Sequence, residues 1–169
     1  MFVAGATGAL GVPLVRRLVA ARHEVVGLTR HAAKLDMLVA LGAQAAVADA
    51  LDAESIHRTV VAAAPDAVVP ALTAIPKRGP LRPSDLAPTN ALRVAGARHL
   101  LDAAIAAGAR CFVAESMVFI YGFGDLGAAL LTEETPPAET VPYRWLCASV
   151  DALKREEEQS PALDNGCEM

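Results

Sequence analysis

Met1-Phe2-Val3-Ala4-Gly5-Ala6-Thr7-Gly8-Ala9-Leu10-Gly11 opens the chain as a short apolar run followed by a glycine at every third position. Val12, Leu14, Val15, Leu18 and Val19 come next, at the three-and-four spacing that lays one apolar helical stripe onto a sheet. Glycine suits a chain that leaves a strand through a sharp turn, brings backbone N–H groups against phosphate oxygens, and packs its first helical turn closely. A side chain at any of the three would block one of those tasks. A glycine triplet alone is a weak signal, but this one follows a strand, opens a helix and precedes a second strand within one βαβ length. The segment reads as a pyrophosphate cradle built from Gly5, Ala6, Thr7, Gly8, Ala9, Leu10 and Gly11.

Outward from this corner, strands and helices alternate. The strands are short, continuously apolar and rich in β-branched residues, the pattern of a parallel sheet covered on both faces. Glu24 to Leu28 is the second strand. Leu35, Leu38 and Val39 mark a helix stopped by Gly42, Ala45 to Ala48 is the third strand, and Asp52 is an N-cap for the helix carrying Ile56 and Val60. Pro65-Asp66 leads into a fourth strand, Ala67 to Val69. Five of the 11 prolines then fall between residues 70 and 88, which predicts a loop over that stretch. Loops leaving the carboxyl ends of parallel strands line the ligand crevice, so this one is a candidate substrate-facing wall. An Ala-rich helix runs from about Asn90 to Ala107 and ends at Gly108. Cys111 to Ala114 is the fifth strand, and a last helix spans Tyr143 to about Gln159, its end Lys154-Arg155-Glu156-Glu157-Glu158 reading as a solvated face. The expected fold is α/β, a Rossmann-like doubly wound parallel sheet of about five strands in the order 3-2-1-4-5. Residues 1–159 form that domain, and 160–169 an irregular tail.

Composition narrows the partners. With 169 residues the chain supplies one ordinary domain. Its hydrophobic fraction is 54% and its mean hydropathy +0.37, yet no apolar run approaches the roughly 18 residues of a membrane span. A net charge of −4 offers no electrostatic footprint for nucleic acid, and Arg16, Arg17 and Arg22 scatter over one helix. The start lacks signal-peptide features, so the expected location is cytoplasmic. Cys111, Cys147 and Cys167 are odd in number and widely spaced, indicating reduced thiols and no metal cluster. The histidines His23, His31, His57 and His99 show no ligand spacing.

The run from Gly5 to Arg30, taken with Asp49, Asn90 and Glu115-Ser116-Met117-Val118-Phe119-Ile120-Tyr121-Gly122, resembles the NAD(P)-dependent epimerase/dehydratase family, the extended and atypical short-chain dehydrogenases/reductases. The likeness extends to about Gln159. It implies a Rossmann sheet with a C-terminal substrate-binding part, NAD or NADP as cofactor, and hydride-transfer chemistry of the oxidoreductase or sugar-epimerase type. Asp49 resembles the family's adenine-contacting aspartate, with Ala50 beside it, and Asn90 completes the implied cofactor set; Asp49 reads equally as a loop carboxylate or a helix-start residue. Arg30 sits just past the second strand, where an acidic residue would bond the ribose hydroxyls and an arginine would pair with a 2′-phosphate. With His31 and Lys34 adding positive charge, NADP(H) is expected over NAD(H); the plain alternative is a surface arginine.

The resemblance further implies a Ser/Thr hydroxyl, a tyrosine acid/base, and a lysine four residues after the tyrosine. Tyr143-Arg144-Trp145-Leu146-Cys147 places Cys147 where that lysine belongs. A tyrosine near its ordinary pKa of about 10 is a poor base at neutral pH without a neighbouring cation. Tyr143 therefore stands both as a proton-transfer candidate and as a simple helix-start residue. Ser116, at the carboxyl end of the fifth strand, is the candidate crevice hydroxyl, one position farther from Tyr121-Gly122 than the family pattern has it. Three readings follow: an NADP(H)-dependent enzyme, a non-catalytic nucleotide-binding or redox-sensing module, and an inactive truncated fragment. The family's substrate part would follow Gln159, so the sequence reads as cut short. The fifth strand would then be an exposed edge through which a homodimer forms.

Overall fold

Phe2–Ala4 forms the central strand β1, flanked by β2 (Val26–Thr29) and β4 (Ala67–Pro70), with β3 (Gln44–Val47) and β5 (Cys111–Phe112) outside them. All pairings are parallel, giving the order β3-β2-β1-β4-β5. This computed structural model describes residues 1–122, 127, 130–132, 134–138 and 144–159. Successive side chains of a strand point to opposite faces. Phe2 and Ala4 accordingly join a core with Leu28, Ile56, Val60, Val68 and Leu100, while Val3 faces Val15, Val25 and Leu38 on the other side. The second layer is made by α1 (Gly11–Ala20) and α2 (Leu35–Ala40), the first by α3 (Ala53–Ala63) and α5 (Ala97–Ala106). The sheet is doubly wound as expected.

Local signals place most boundaries. Asp52 caps α3 by accepting from the Ser55 N–H at 3.1 Å, and Gly42 and Gly108 leave their helices at φ +86° and +73°. The proline-rich stretch departs from expectation. Pro70 closes β4, a 3₁₀ turn occupies Pro83–Leu86, and α4 (Ala87–Ala91) has begun before Asn90. From α4 the helical path continues into α5 through a π turn, Leu92–Gly96. β5 is only two residues long, shorter than the predicted four. The last helix, α6 (Arg144–Gln159), packs on α4, the π turn and α5. Cys147 keeps its thiol whereas Cys111 is disulfide-bonded, a correction to the reduced state expected of all three cysteines.

Candidate nucleotide-binding site

A crevice runs along the carboxyl ends of β1, β2, β3 and β4 and meets Gly5, Thr7 and Gly8 at one wall. Gly5 adopts φ +83°, and a Cβ there would lie 2.2 Å from the carbonyl oxygen of Ala71, the first residue after β4. Gly11 is closed in as well: its Cβ would meet the Gly5 carbonyl oxygen at 2.2 Å. These two glycines let the corner form. Gly8 differs, because a Cβ there would meet only the Gly5 carbonyl oxygen, at 3.1 Å, leaving its remaining side open. Leu10, at the N-cap of α1, supplies no side-chain cap. In the first turn the Val12 N–H donates to the Gly8 carbonyl at 3.1 Å and Pro13 carries no N–H, so this end offers an anion chiefly the positive end of the helix dipole. With the tight glycine turn, it fits a pyrophosphate.

The crevice has a volume of about 170 Å³, below the roughly 300 Å³ of an ordinary closed ligand pocket. A long ligand would therefore lie along an open trough. At one end of it stand Arg30, His31 and Lys34, all exposed and all lining the crevice. Arg30 Nε donates to His31 Nε2 at 3.1 Å, and the buried Thr29 hydroxyl accepts from the His31 N–H at 3.2 Å. Three nitrogen-bearing side chains thus lie on the lining of one crevice. Asp49 and Ala50 form the neighbouring wall. Asp49 Oδ1 accepts from the Leu51 N–H at 3.0 Å, which shapes the loop and keeps the carboxylate at the rim.

The remaining candidates divide. Ala6 is buried under the corner, and Ala9 and Leu10 are exposed beside it. Asn90 lies on α4 and is not among the crevice-lining residues; its Oδ1 is buried with no hydrogen-bond partner among the described residues. Ser116 does follow β5, but its hydroxyl donates to the Glu157 carboxylate on α6. Tyr143 lies outside the described residues.

Several crevice residues went unread in the sequence. Thr29 and Thr73 line it, and each is a hydroxyl a short way past an apolar strand core, the one signal that could have marked them. Thr73 and the buried Thr89 pair through their hydroxyls at 3.2 Å. The end of α6 also needs correction. Glu156 is only 5% exposed and binds Arg93 of the π turn at 2.7 Å, while Lys154 Nζ donates to the Ala138 carbonyl at 2.7 Å. Arg93 additionally donates to the Glu115 carbonyl, tying the loop after β5 to both helices. Burial pushes the Glu156 carboxyl above the ordinary carboxylate range, and the Arg93 guanidinium opposes that rise. A run that looks solvated by composition is therefore an anchor.

A parallel sheet in this order, with a glycine corner opening onto a crevice at the strand ends, defines a Rossmann-type dinucleotide-binding domain. The chain belongs to the NAD(P)H-binding family, whose pattern matches residues 5–139. It is 40% identical over 156 residues to 3-diazoavenalumate denitrifying reductase of Streptomyces sp, covering 90% of this chain and 48% of that one. Among solved structures, a short-chain dehydrogenase/reductase superfamily protein of Agrobacterium tumefaciens with bound NAD superposes with a TM-score of 0.67 at 25% identity, covering 94% of this chain and 43% of the other. UDP-glucose 4-epimerase of Thermus thermophilus, in complex with NAD, has the same fold, with a TM-score of 0.73 at 23% identity over 93% and 48% of the two chains. The chain spans about half the length of the relatives it matches. Among the described residues, no helix is long and apolar enough to cross a membrane.

Proposed function

We propose that this chain is the nucleotide-binding half of an NADP(H)-preferring reductase or epimerase-type enzyme. The single observation that carries the preference is the placement of Arg30, His31 and Lys34 on the same crevice as Gly5 and Gly8. In this reading the α1 N-terminus holds the pyrophosphate, Asp49 and Ala50 border the adenine, and Arg30 pairs with the 2′-phosphate. The bound cofactor would supply a hydride donor or acceptor. The chain's own residues bind and orient it: Thr7 and Thr29, whose hydroxyls lie 3.4 Å apart, form a polar floor between corner and cationic end. The 40% identity to a reductase supports reduction as the direction of the chemistry.

Titration with NADPH and NADH tests the preference. Arg30→Asp is expected to weaken NADPH binding by tenfold or more, since a charge-assisted contact is worth about 1.5–3 kcal/mol, and to make NADH the better ligand. Unchanged selectivity in that variant would remove Arg30 from the site.

A second reading, a non-catalytic nucleotide-binding module, is favoured by Cys147 at the position where the family resemblance asks for lysine. Both readings include a self-association. Among the described residues β5 is an edge strand of the sheet, and pairing of two such edges is expected to yield a dimer; light scattering that returns a monomer at high concentration would dispose of it.

A further inference from the structure

His99 reads in the sequence as an ordinary helix residue, yet it touches the nucleotide crevice from behind. Its Nδ1 lies 2.9 Å from the carbonyl oxygen of Ala50, 49 positions earlier in the chain. A carbonyl can only accept, so Nδ1 carries a proton and donates. One turn before it, Gly96 lies beside the same residue: a Cβ on Gly96 would make ordinary contact with Ala50 Cβ at 3.4 Å and Leu72 Cδ1 at 3.5 Å. Ala50 is itself 4% exposed and lines the crevice. On its other side the loop is fixed by its own turn, with the Leu51 N–H on Asp49 Oδ1 and the Asp52 N–H on the Asp49 carbonyl at 3.0 Å.

We infer that His99 is a positioning residue for the adenosine-facing wall, setting Asp49 and Ala50 from outside the site through the Ala50 carbonyl. The inference rests on the nucleotide-binding reading for its functional meaning. Without the bond, the turn at 49–52 is no longer held against α5 and opens more often, and the ligand must order the wall as it binds. That cost falls on any ligand containing the adenosine half and not on the nicotinamide end.

The test compares wild type, His99→Leu and His99→Asn by calorimetry with NADPH and with 2′-phospho-ADP-ribose, which lacks nicotinamide. His99→Leu is expected to weaken both ligands by the same factor, roughly three- to tenfold for one lost hydrogen bond. His99→Asn, whose amide N–H can stand where Nδ1–H stands, is expected to return both to within about twofold of wild type. Amide hydrogen exchange of Leu51 and Asp52 without ligand reads the positioning separately: it should quicken in His99→Leu and not in His99→Asn. Equal behaviour of the two variants, or wild-type exchange and affinity in His99→Leu, overturns the role of His99. Wild-type protein that binds neither ligand overturns the nucleotide reading, while the exchange data still decide whether His99 holds the loop.

Discussion

Gly8→Val is expected to abolish NADPH binding, weakening it by at least about a hundredfold, while the far-UV circular dichroism and melting temperature stay close to wild type. The added side chain meets only one protein atom of the corner, the Gly5 carbonyl oxygen at 3.1 Å, and otherwise projects into open space. It occupies room that a phosphate would need, and asks of the fold only that the Gly5 carbonyl give slightly, against the direct overlap at Gly5 and Gly11. Gly5→Val provides the contrast. There the backbone has φ +83° and the Cβ would lie 2.2 Å from Ala71 O, so the turn and the β1–β4 junction should fail along with binding. Calorimetry beside a thermal melt separates the two cases, and full affinity in Gly8→Val would show that the ligand does not pass over this corner.

Removing Arg93 should have the largest effect on stability. Arg93→Leu leaves the buried Glu156 carboxylate without its guanidinium, a change that typically costs about 3–5 kcal/mol at neutral pH. The pH dependence has a definite sign. Burial holds the Glu156 carboxyl above the ordinary carboxylate range, so the native state keeps that proton to higher pH than the unfolded chain does. Stability therefore declines as pH rises from the ordinary carboxylate value to the raised one, then levels off. Arg93→Leu removes the charge that limits the rise, so its decline should extend to higher pH and its deficit should deepen on the way. Glu156→Gln should lose this component of the slope. Urea melts across pH series for the three proteins check this; parallel curves for Arg93→Leu and wild type would rule out the coupling.

What was legible in the sequence is what short-range chemistry decides. The corner from Val3 to Gly11 is a strand, a turn and a helix start within one stretch, and its three glycines answer to local sterics. The Asp52 cap and the glycine stops at Gly42 and Gly108 span three or four residues each. Strand order followed because short apolar runs alternating with helices leave few ways to wind a parallel sheet. The cationic end was legible too, since Arg30, His31 and Lys34 directly follow β2. Partnerships across the chain were not: Arg93 and Glu156 are 63 positions apart, and His99 and Ala50 are 49 apart. A glutamate within Lys154-Arg155-Glu156-Glu157-Glu158 carries no mark that it turns inward. The proline count between 70 and 88 signalled irregular backbone correctly for its first part, but proline is also a good first-turn helix residue, which is how Pro83 and Pro88 come to lie in helical turns.

The wide turn at Leu92–Gly96 lets one stretch of backbone serve three neighbours. Leu92 borders the crevice, Arg93 reaches α6 and the Glu115 carbonyl, and Gly96 lies against Ala50. A π turn carries one residue more than the α-turn it replaces, so a single-residue deletion here would restore uniform winding and leave α5, with His99, Leu100 and Ala104, in its present phase. What the deletion would disturb is local, because Leu92, Arg93 and Gly96 could no longer all keep their present directions. The irregularity acts as a slack loop in the winding, widening the sector over which neighbouring side chains fan out.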